Sequence, residues 1–363
     1  MTFKHPSATW TEILKQPGIW RAWADDLVEQ AAEIRDWIER IGVREIWLCG
    51  AGTSAFIGDI LSSVPCNLAG NPVVRAVATT DFVACPADFV RQGKDVLVVQ
   101  FGRSGDSSET IGMLHLLDQV MPDAHRLHVT CNPDGALARR SVSGPGEQRI
   151  LLLPEDTHDR GFAMTSSFTT MLLSALACLD NSFDAAKTMP ALADAAEKIL
   201  GELSTLDGPA CPSRFVVLGA GPLKGLAREA SLKVLELTAG EVLAQWDSPL
   251  GFRHGPKASV LPGTHVAVMI HPDAHTARYD HDVAAELRSQ YPQCVVTTLG
   301  ASGCDISIPA IGEPRAIAAL YVLVAQVWAV RWSASLGLDV DNPFAGGTLS
   351  RVVSGITIYP WAA

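Results

Sequence analysis

The chain is 363 residues long, a length that suits about two domains better than one core. Hydrophobic residues make up 48% and charged residues 18%, so there is ample apolar surface to bury and disorder as the dominant state is excluded. Acidic residues outnumber basic ones 39 to 28, the net charge is −11, and no basic stripe marks a nucleic-acid binder.

Residues 1–20 mix charges, Pro and Trp without the apolar core of a signal peptide, and 1–22 is expected to be an N-terminal helical segment. A first α/β domain is expected over 23–183. Its strands fall at 45–49, 73–77, 95–100, 125–130 and 149–153, alternating with helices at 54–61, 107–119 and 166–179. The Ala- and charge-rich stretch 184–207 predicts a connecting helix. A second domain is expected over 208–340, with strands at 214–218, 265–270 and 294–299 and helices at 224–239, 276–289 and 315–336; 341–363 forms a C-terminal tail. The halves echo each other. Ile46-Trp47-Leu48-Cys49-Gly50-Ala51-Gly52 and Phe215-Val216-Val217-Leu218-Gly219-Ala220-Gly221 are both an apolar strand running into Gly-Ala-Gly and a helix, which a duplicated parallel-sheet domain explains economically. The longest uncharged apolar run, 316–330, is shorter than the ~20 residues of a membrane span. The eight cysteines are scattered with no C-x-x-C pair. A soluble, reduced, cytoplasmic protein with no membrane contact is expected.

With an acidic chain, an anionic ligand needs locally aimed backbone N–H groups rather than a general positive field. Gly50-Ala51-Gly52-Thr53-Ser54 lies between a predicted strand and a predicted helix, with glycines at the tight turn and hydroxyls at the helix start. The spacing is not G-x-G-x-x-G, no acidic residue ends the second strand, and no G-x-x-x-x-G-K-[ST] occurs, so dinucleotide and P-loop binding are disfavoured. Gln100-Phe101-Gly102-Arg103-Ser104-Gly105-Asp106-Ser107-Ser108-Glu109 is a second such junction, where Arg103 adds charge; Ala163-Met164-Thr165-Ser166-Ser167 is a third. Any one of them alone reads as an ordinary N-cap and tight turn. Three in one domain, all at the carboxyl ends of parallel strands, suit an anion of sugar-phosphate size.

On the helix at 224–239, Glu229, Lys233 and Glu236 fall within roughly 60° of one another at about 100° per residue. Leu226, Ala230, Val234 and Leu237 crowd one side and Leu232 borders the other. Two readings stay open: a partly buried acid–base site, or a salt-bridged helix edge, to which helix geometry alone leans slightly. The Pro- and Gly-containing stretch Asp247-Ser248-Pro249-Leu250-Gly251-Phe252-Arg253-His254-Gly255-Pro256-Lys257 reads as a loop. Its His254 is the best-placed imidazole for acid–base work, with a purely local hydrogen-bonding role equally open. His158 sits in a second polar loop; His271, His275 and His281 read as surface residues, and no metal site is expected.

Together these motifs resemble the double sugar isomerase (SIS) domain superfamily over nearly the whole chain. The carriers are Gly50-Ala51-Gly52-Thr53-Ser54, Phe101-Gly102-Arg103-Ser104-Gly105-Asp106-Ser107, Ala163-Met164-Thr165-Ser166-Ser167 and Leu232-Lys233-Val234-Leu235-Glu236. More narrowly, the segment from Thr157 through His158, Asp159, Arg160 and Gly161 to Ser167, the Asp247–Lys257 stretch and the tail from Arg351 to Trp361 resemble the AgaS family of amino-sugar catabolism. The resemblance implies two SIS domains, each a flavodoxin-like parallel sheet flanked by helices in an α-β-α sandwich. It implies phosphate binding through Ser54, Ser104, Ser107 and Thr165, within loops that also carry Gly52, Thr53, Arg103, Ser166 and Ser167. Glu236 is then the base, Glu229 and Lys233 its companions, and His254 a ring-opening group given by the neighbouring subunit of a homodimer.

Two departures stand out beside the isomerase half of glucosamine-6-phosphate synthase. Gly102 and Arg103 replace that relative's first phosphate-loop serine and the residue after it, and its C-terminal lysine has no counterpart, Ser354 falling nearest. As no glutamine-hydrolysing domain precedes residue 1, the synthase reaction is not expected. The implied activity converts galactosamine 6-phosphate to tagatose 6-phosphate and ammonia without a metal or redox cofactor. The alternatives are a plain tagatose-6-phosphate ketose/aldose isomerase and a non-catalytic sugar-phosphate sensor.

Overall fold

The computed structural model describes residues 7–301 and 303–361. In chain order the elements are α1 (Ala8–Ile41), β1 (Glu45–Cys49), α2 (Thr53–Leu61), β2 (Val73–Ala76), α3 (Thr79–Ala84), β3 (Val96–Gly102), α4 (Ser108–Val120), β4 (His125–Thr130), α5 (Ala136–Arg139), β5 (Gln148–Leu152) and α6 (Ser166–Leu179). There follow α7 (Ala185–Thr205), β6 (Arg214–Gly219), α8 (Pro222–Leu237), β7 (Leu243–Asp247), α9 (Pro249–Phe252), β8 (Thr264–Met269), α10 (Ala274–Gln290), β9 (Val295–Gly300), β10 (Ile306–Ser307) and α11 (Pro314–Ser335).

Two all-parallel sheets result, ordered β2-β1-β3-β4-β5 and β7-β6-β8-β9-β10. Replacing each strand of the first by its counterpart gives the second, so the repeated Gly-Ala-Gly motif marks a whole duplicated topology. Strands covered on both faces need continuous apolar runs. Central β3 and β8 are buried at every position, whereas the edge strand β7 is half exposed.

The chain forms two compact units. One holds the β1–β5 sheet and comprises residues 22–158, 166–187 and 349–361; the other holds the β6–β10 sheet with residues 7–21, 159–165 and 188–348. Segments expected to stand apart at the two ends of the chain therefore belong to the sheet units. In the β1–β5 unit, Trp47, Val96 and Val98 pack against Phe82, Met113, Leu117 and Met121. At roughly 1.5–3 kcal/mol per large buried apolar side chain, this layer is a main source of stability. The tail is fastened to α4: Ser108 N donates to Val353 O at 3.1 Å, Gln119 Nε2 donates to Trp361 O at 2.8 Å, and Ile358 lies against Gly112.

In the β6–β10 unit, Val216, Leu218, Val266 and Val268 pack on Val283, Ala284 and Leu287 of α10. The apolar run expected to be too short for a membrane span lies in α11, whose 22 residues are long and apolar enough to cross one. Its window is 94% buried inside the fold, where it packs on α8, and it is a core helix. The stretch expected as a loop after residue 247 is partly ordered: Ser248 caps α9 by accepting from Gly251 N at 3.1 Å, and Pro256–Ser259 form a 3-10 turn.

Candidate active site

In the β1–β5 unit, β1 is flanked by β2 and β3, so the strand order reverses there and a crevice opens at the carboxyl ends. Cys49 pairs with Gln100, so the loops that begin after them run side by side. Gly52 takes φ 56° and ψ −130°, a conformation reserved for glycine, and starts α2 with Thr53 and Ser54, both buried. Gly50 is required for a different reason: a Cβ there would stand 2.4 Å from the Ser54 carbonyl carbon.

The second loop is braced by the β4–α5 connection. Thr130 Oγ1 donates to Gly102 O at 2.7 Å, Asn132 Nδ2 donates to Ser104 O at 2.8 Å, and Ala136 N donates to Asp106 Oδ1 at 2.7 Å. A Cβ on Gly102 would meet Leu137 Cδ1 at 2.8 Å, which is why a serine is not accommodated there without moving Leu137. Ser107 is the N-cap of α4, accepting from Thr110 N at 3.3 Å and sharing a 2.8 Å hydroxyl–hydroxyl bond with Thr110. Arg103 is buried, and its Nη2 donates to Arg351 O at 3.1 Å.

Ser166 and Ser167 are buried in the first turn of α6. Thr165 belongs with the β6–β10 unit, and both its N–H (2.9 Å) and its hydroxyl (2.8 Å) donate to the buried Asp159 carboxylate. The proton of that hydroxyl is thus engaged within its own loop. Glu12 of α1 holds the same loop by accepting from Arg160 N at 2.5 Å and Gly161 N at 3.2 Å. Burial, then the Asp159 charge, pushes the Glu12 carboxyl above the usual range.

Also in the β6–β10 unit, α8 carries Glu229, Lys233 and Glu236. Lys233 Nζ lies 2.6 Å from Glu236 Oε2 and 3.4 Å from Glu229 Oε1. The Lys233 and Glu229 side chains are 0% exposed and that of Glu236 is 19% exposed. This is a buried ionic cluster with one accessible carboxylate: the salt bridges expected of a helix edge are present, and they lie inside the fold rather than on a solvated face. A buried charge persists only with close partners, so one ammonium between two carboxylates is what makes the burial tolerable.

His254 is exposed on the turn after α9, with its backbone N–H donated to Gly251 O at 2.9 Å. Its neighbours Arg253 and Lys257 both contact Glu286 of α10. His158 is half-buried after a 3-10 turn, and His275 and His281 are exposed. His271 departs from the surface role expected for it. It is half-buried, its N–H donates to Asp280 Oδ2 at 2.8 Å and its Nδ1 accepts from Asp273 N at 3.0 Å. Burial pushes the Asp280 carboxyl up to about 6. Sequence reasoning gave Glu12 and Glu286 no role and placed Asp159 in the AgaS-like segment without assigning it one.

The D-galactosamine-6-phosphate deaminase AgaS of Escherichia coli is 39% identical to this chain over 98% of the chain and 97% of that protein. The AgaS protein of Streptomyces coelicolor is 42% identical over 96% and 94%. The chain belongs to the AgaS family. The crystal structure of tagatose-6-phosphate ketose/aldose isomerase from Escherichia coli superposes on this AgaS-family chain with a TM-score of 0.87, at 36% identity, covering 98% of the chain and 97% of that structure. No family model matches the chain. The relatives are phosphosugar deaminases and isomerases, and the two five-stranded sheets are those of double-SIS phosphosugar isomerases.

Proposed function

We propose that the protein converts D-galactosamine 6-phosphate to tagatose 6-phosphate and ammonia. The observation that carries this reading is the Lys233–Glu236 pair, a carboxylate that is mostly buried, accessible at one side and fixed by an ammonium, in a chain 39% identical to a D-galactosamine-6-phosphate deaminase. The hydroxyls and N–H groups at Thr53, Ser54, Ser104, Ser107, Ser166 and Ser167 hold the phosphate, with Gly52 giving the backbone close approach. Arg103 supplies a positive charge beside them.

Lys233 occupies Glu236 Oε2, which leaves Oε1 to remove the C2 proton of the open-chain amino sugar. The electron pair moves into a C1–C2 double bond while the C1 carbonyl π pair moves onto O1, which takes up a proton, giving an enolamine. Return of the proton to C1 gives the ketose imine, and water adds to C2 to release ammonia. A proton shift between adjacent carbons asks only for a positioned base and charge stabilisation. His254 opens the sugar ring. Its exposure on this chain suits donation to a second copy, so that a homodimer shares its active sites.

Glu236→Gln is expected to lower ammonia release roughly a thousandfold, within the range general-base groups contribute, and to abolish exchange of the C2 hydrogen with deuterated solvent. A folded variant with near-normal turnover would remove Glu236 from the reaction. The 36% identity to tagatose-6-phosphate ketose/aldose isomerase favours a second reading, isomerisation without nitrogen chemistry. A panel of hexosamine 6-phosphates and tagatose 6-phosphate, read for ammonia and for aldose–ketose conversion, separates the two.

A further inference from the structure

His254 is an exposed imidazole on a short connection, yet the residues on both sides of it are tied down. Arg253 Nε donates to Glu286 Oε2 at 2.7 Å, Lys257 Nζ contacts Glu286 Oε1, and Lys257 Nζ also donates to Gln290 Oε1 at 3.0 Å. Glu286 and Gln290 are one turn apart on α10, so both present their side chains to the same connection. Between the anchored residues lie His254, Gly255 and Pro256. Gly255 takes φ 127°, open to glycine but not to other residues, and Pro256 fixes the next backbone angle as it enters the 3-10 turn.

We infer that Glu286 is a positioning residue for His254, one carboxylate gripping the connection on both sides of the imidazole so that its ring is presented in a single orientation. The Glu286 carboxyl is held below its usual range, first by the Lys257 hydrogen bond, and therefore stays charged at neutral pH. Partly exposed ion pairs add little to stability. Two of them converging on one carboxylate beside an exposed histidine serve placement instead. Catalytic groups are sensitive to displacements of about 1 Å, which cost on the order of a hundredfold in rate.

The inference rests on the ring-opening role proposed for His254, and a double-mutant cycle tests the two separately. Ammonia release from D-galactosamine 6-phosphate is measured for the wild type, Glu286→Ala, Glu286→Gln, His254→Asn and the Glu286→Ala/His254→Asn double variant, in whatever oligomer the full chain forms. Glu286→Ala is expected to lower kcat roughly ten- to a hundredfold, and Glu286→Gln, which keeps one acceptor, by less. With His254→Asn already in place, Glu286→Ala is expected to cost nothing further. If the two losses multiply, or if Glu286→Ala is silent while His254→Asn is impaired, the positioning role is wrong. If His254→Asn keeps full turnover, the ring-opening role falls first and the positioning role with it. Should Glu286→Ala not fold, the cycle is run with Glu286→Gln and the same outcomes decide.

Discussion

The junction after β1 and the junction after β6 are the same piece of backbone put to different use. Gly52 and Gly221 share φ and ψ almost to the degree (56° and −130° against 55° and −128°). Gly50 and Gly219 are both too crowded for a Cβ, which would stand 2.4 Å from Ser54 in one case and from Leu223 in the other. The two residues that open each helix differ: Thr53-Ser54 in the first, Pro222-Leu223 in the second. The next pair of junctions diverges further. Before α4 the N-cap is Ser107; before α10 it is Asp273, whose carboxylate accepts from His275 N at 3.1 Å and Thr276 N at 3.0 Å. Those N–H groups, Thr276 first, hold the Asp273 carboxyl below its usual range. A helix start filled by its own carboxylate repels an incoming anion, whereas one capped by a hydroxyl can admit it. Duplication copied the geometry, and under the proposed function the residues at the helix starts distinguish the copy that serves a phosphate from the one that does not.

The strongest way to break this comparison is to import the second cap into the first sheet. Ser107→Asp keeps a good N-cap but sets a negative charge at the proposed phosphate site, and is expected to raise KM at least ~100-fold with little loss of stability. A KM within threefold of wild type would mean that α4 does not face the phosphate. Next comes Asp280, whose carboxyl accepts the His271 N–H beside the second sheet's junction. Its folded pKa, pushed up to about 6 from 3.8, means the folded state prefers the protonated form. That contribution is fully present below about pH 4 and is lost as pH rises through 6. Asp280→Asn is therefore expected to gain roughly 2–3 kcal/mol over wild type at pH 8 and nothing at pH 4, read from denaturant midpoints at the two pH values.

A smaller effect tests whether the two backbones are equally strained. Gly52→Ala and Gly221→Ala are each expected to lose about 1–3 kcal/mol of stability, since neither Cβ meets a close neighbour and the cost is conformational alone. Only Gly52→Ala is expected to raise KM as well. The smallest is Asp273→Ala, a lost N-cap expected to lower the unfolding midpoint slightly with no change in KM.

Much of the fold could be read in advance because buried parallel strands advertise themselves. Strands β1 and β4 and helix α6 lie where their apolar runs placed them, and the charged stripe on α8 stood out because aliphatic residues flanked it. Strand β7 was not foreseen: Leu243-Ala244-Gln245-Trp246-Asp247 is an edge strand with no continuous apolar run. Helix α1 extends from Ala8 to Ile41 with Pro17 inside it, a length hidden by the Pro–Gly pair at 17–18. The carboxylates that anchor loops were least legible. Glu12 and Asp159 act on backbone N–H groups of a loop, and Glu286 meets partners about 30 residues before it, contacts that no local periodicity encodes.

The fastening of residues 351–361 along α4 has a practical corollary. The acceptor for the first N–H of α4 is Val353 O, and the acceptor for the Arg103 guanidinium is Arg351 O. Trimming those last dozen residues, or hanging a purification tag on them, alters a helix start some 245 positions earlier in sequence; expression vectors for this enzyme are better tagged at the amino end.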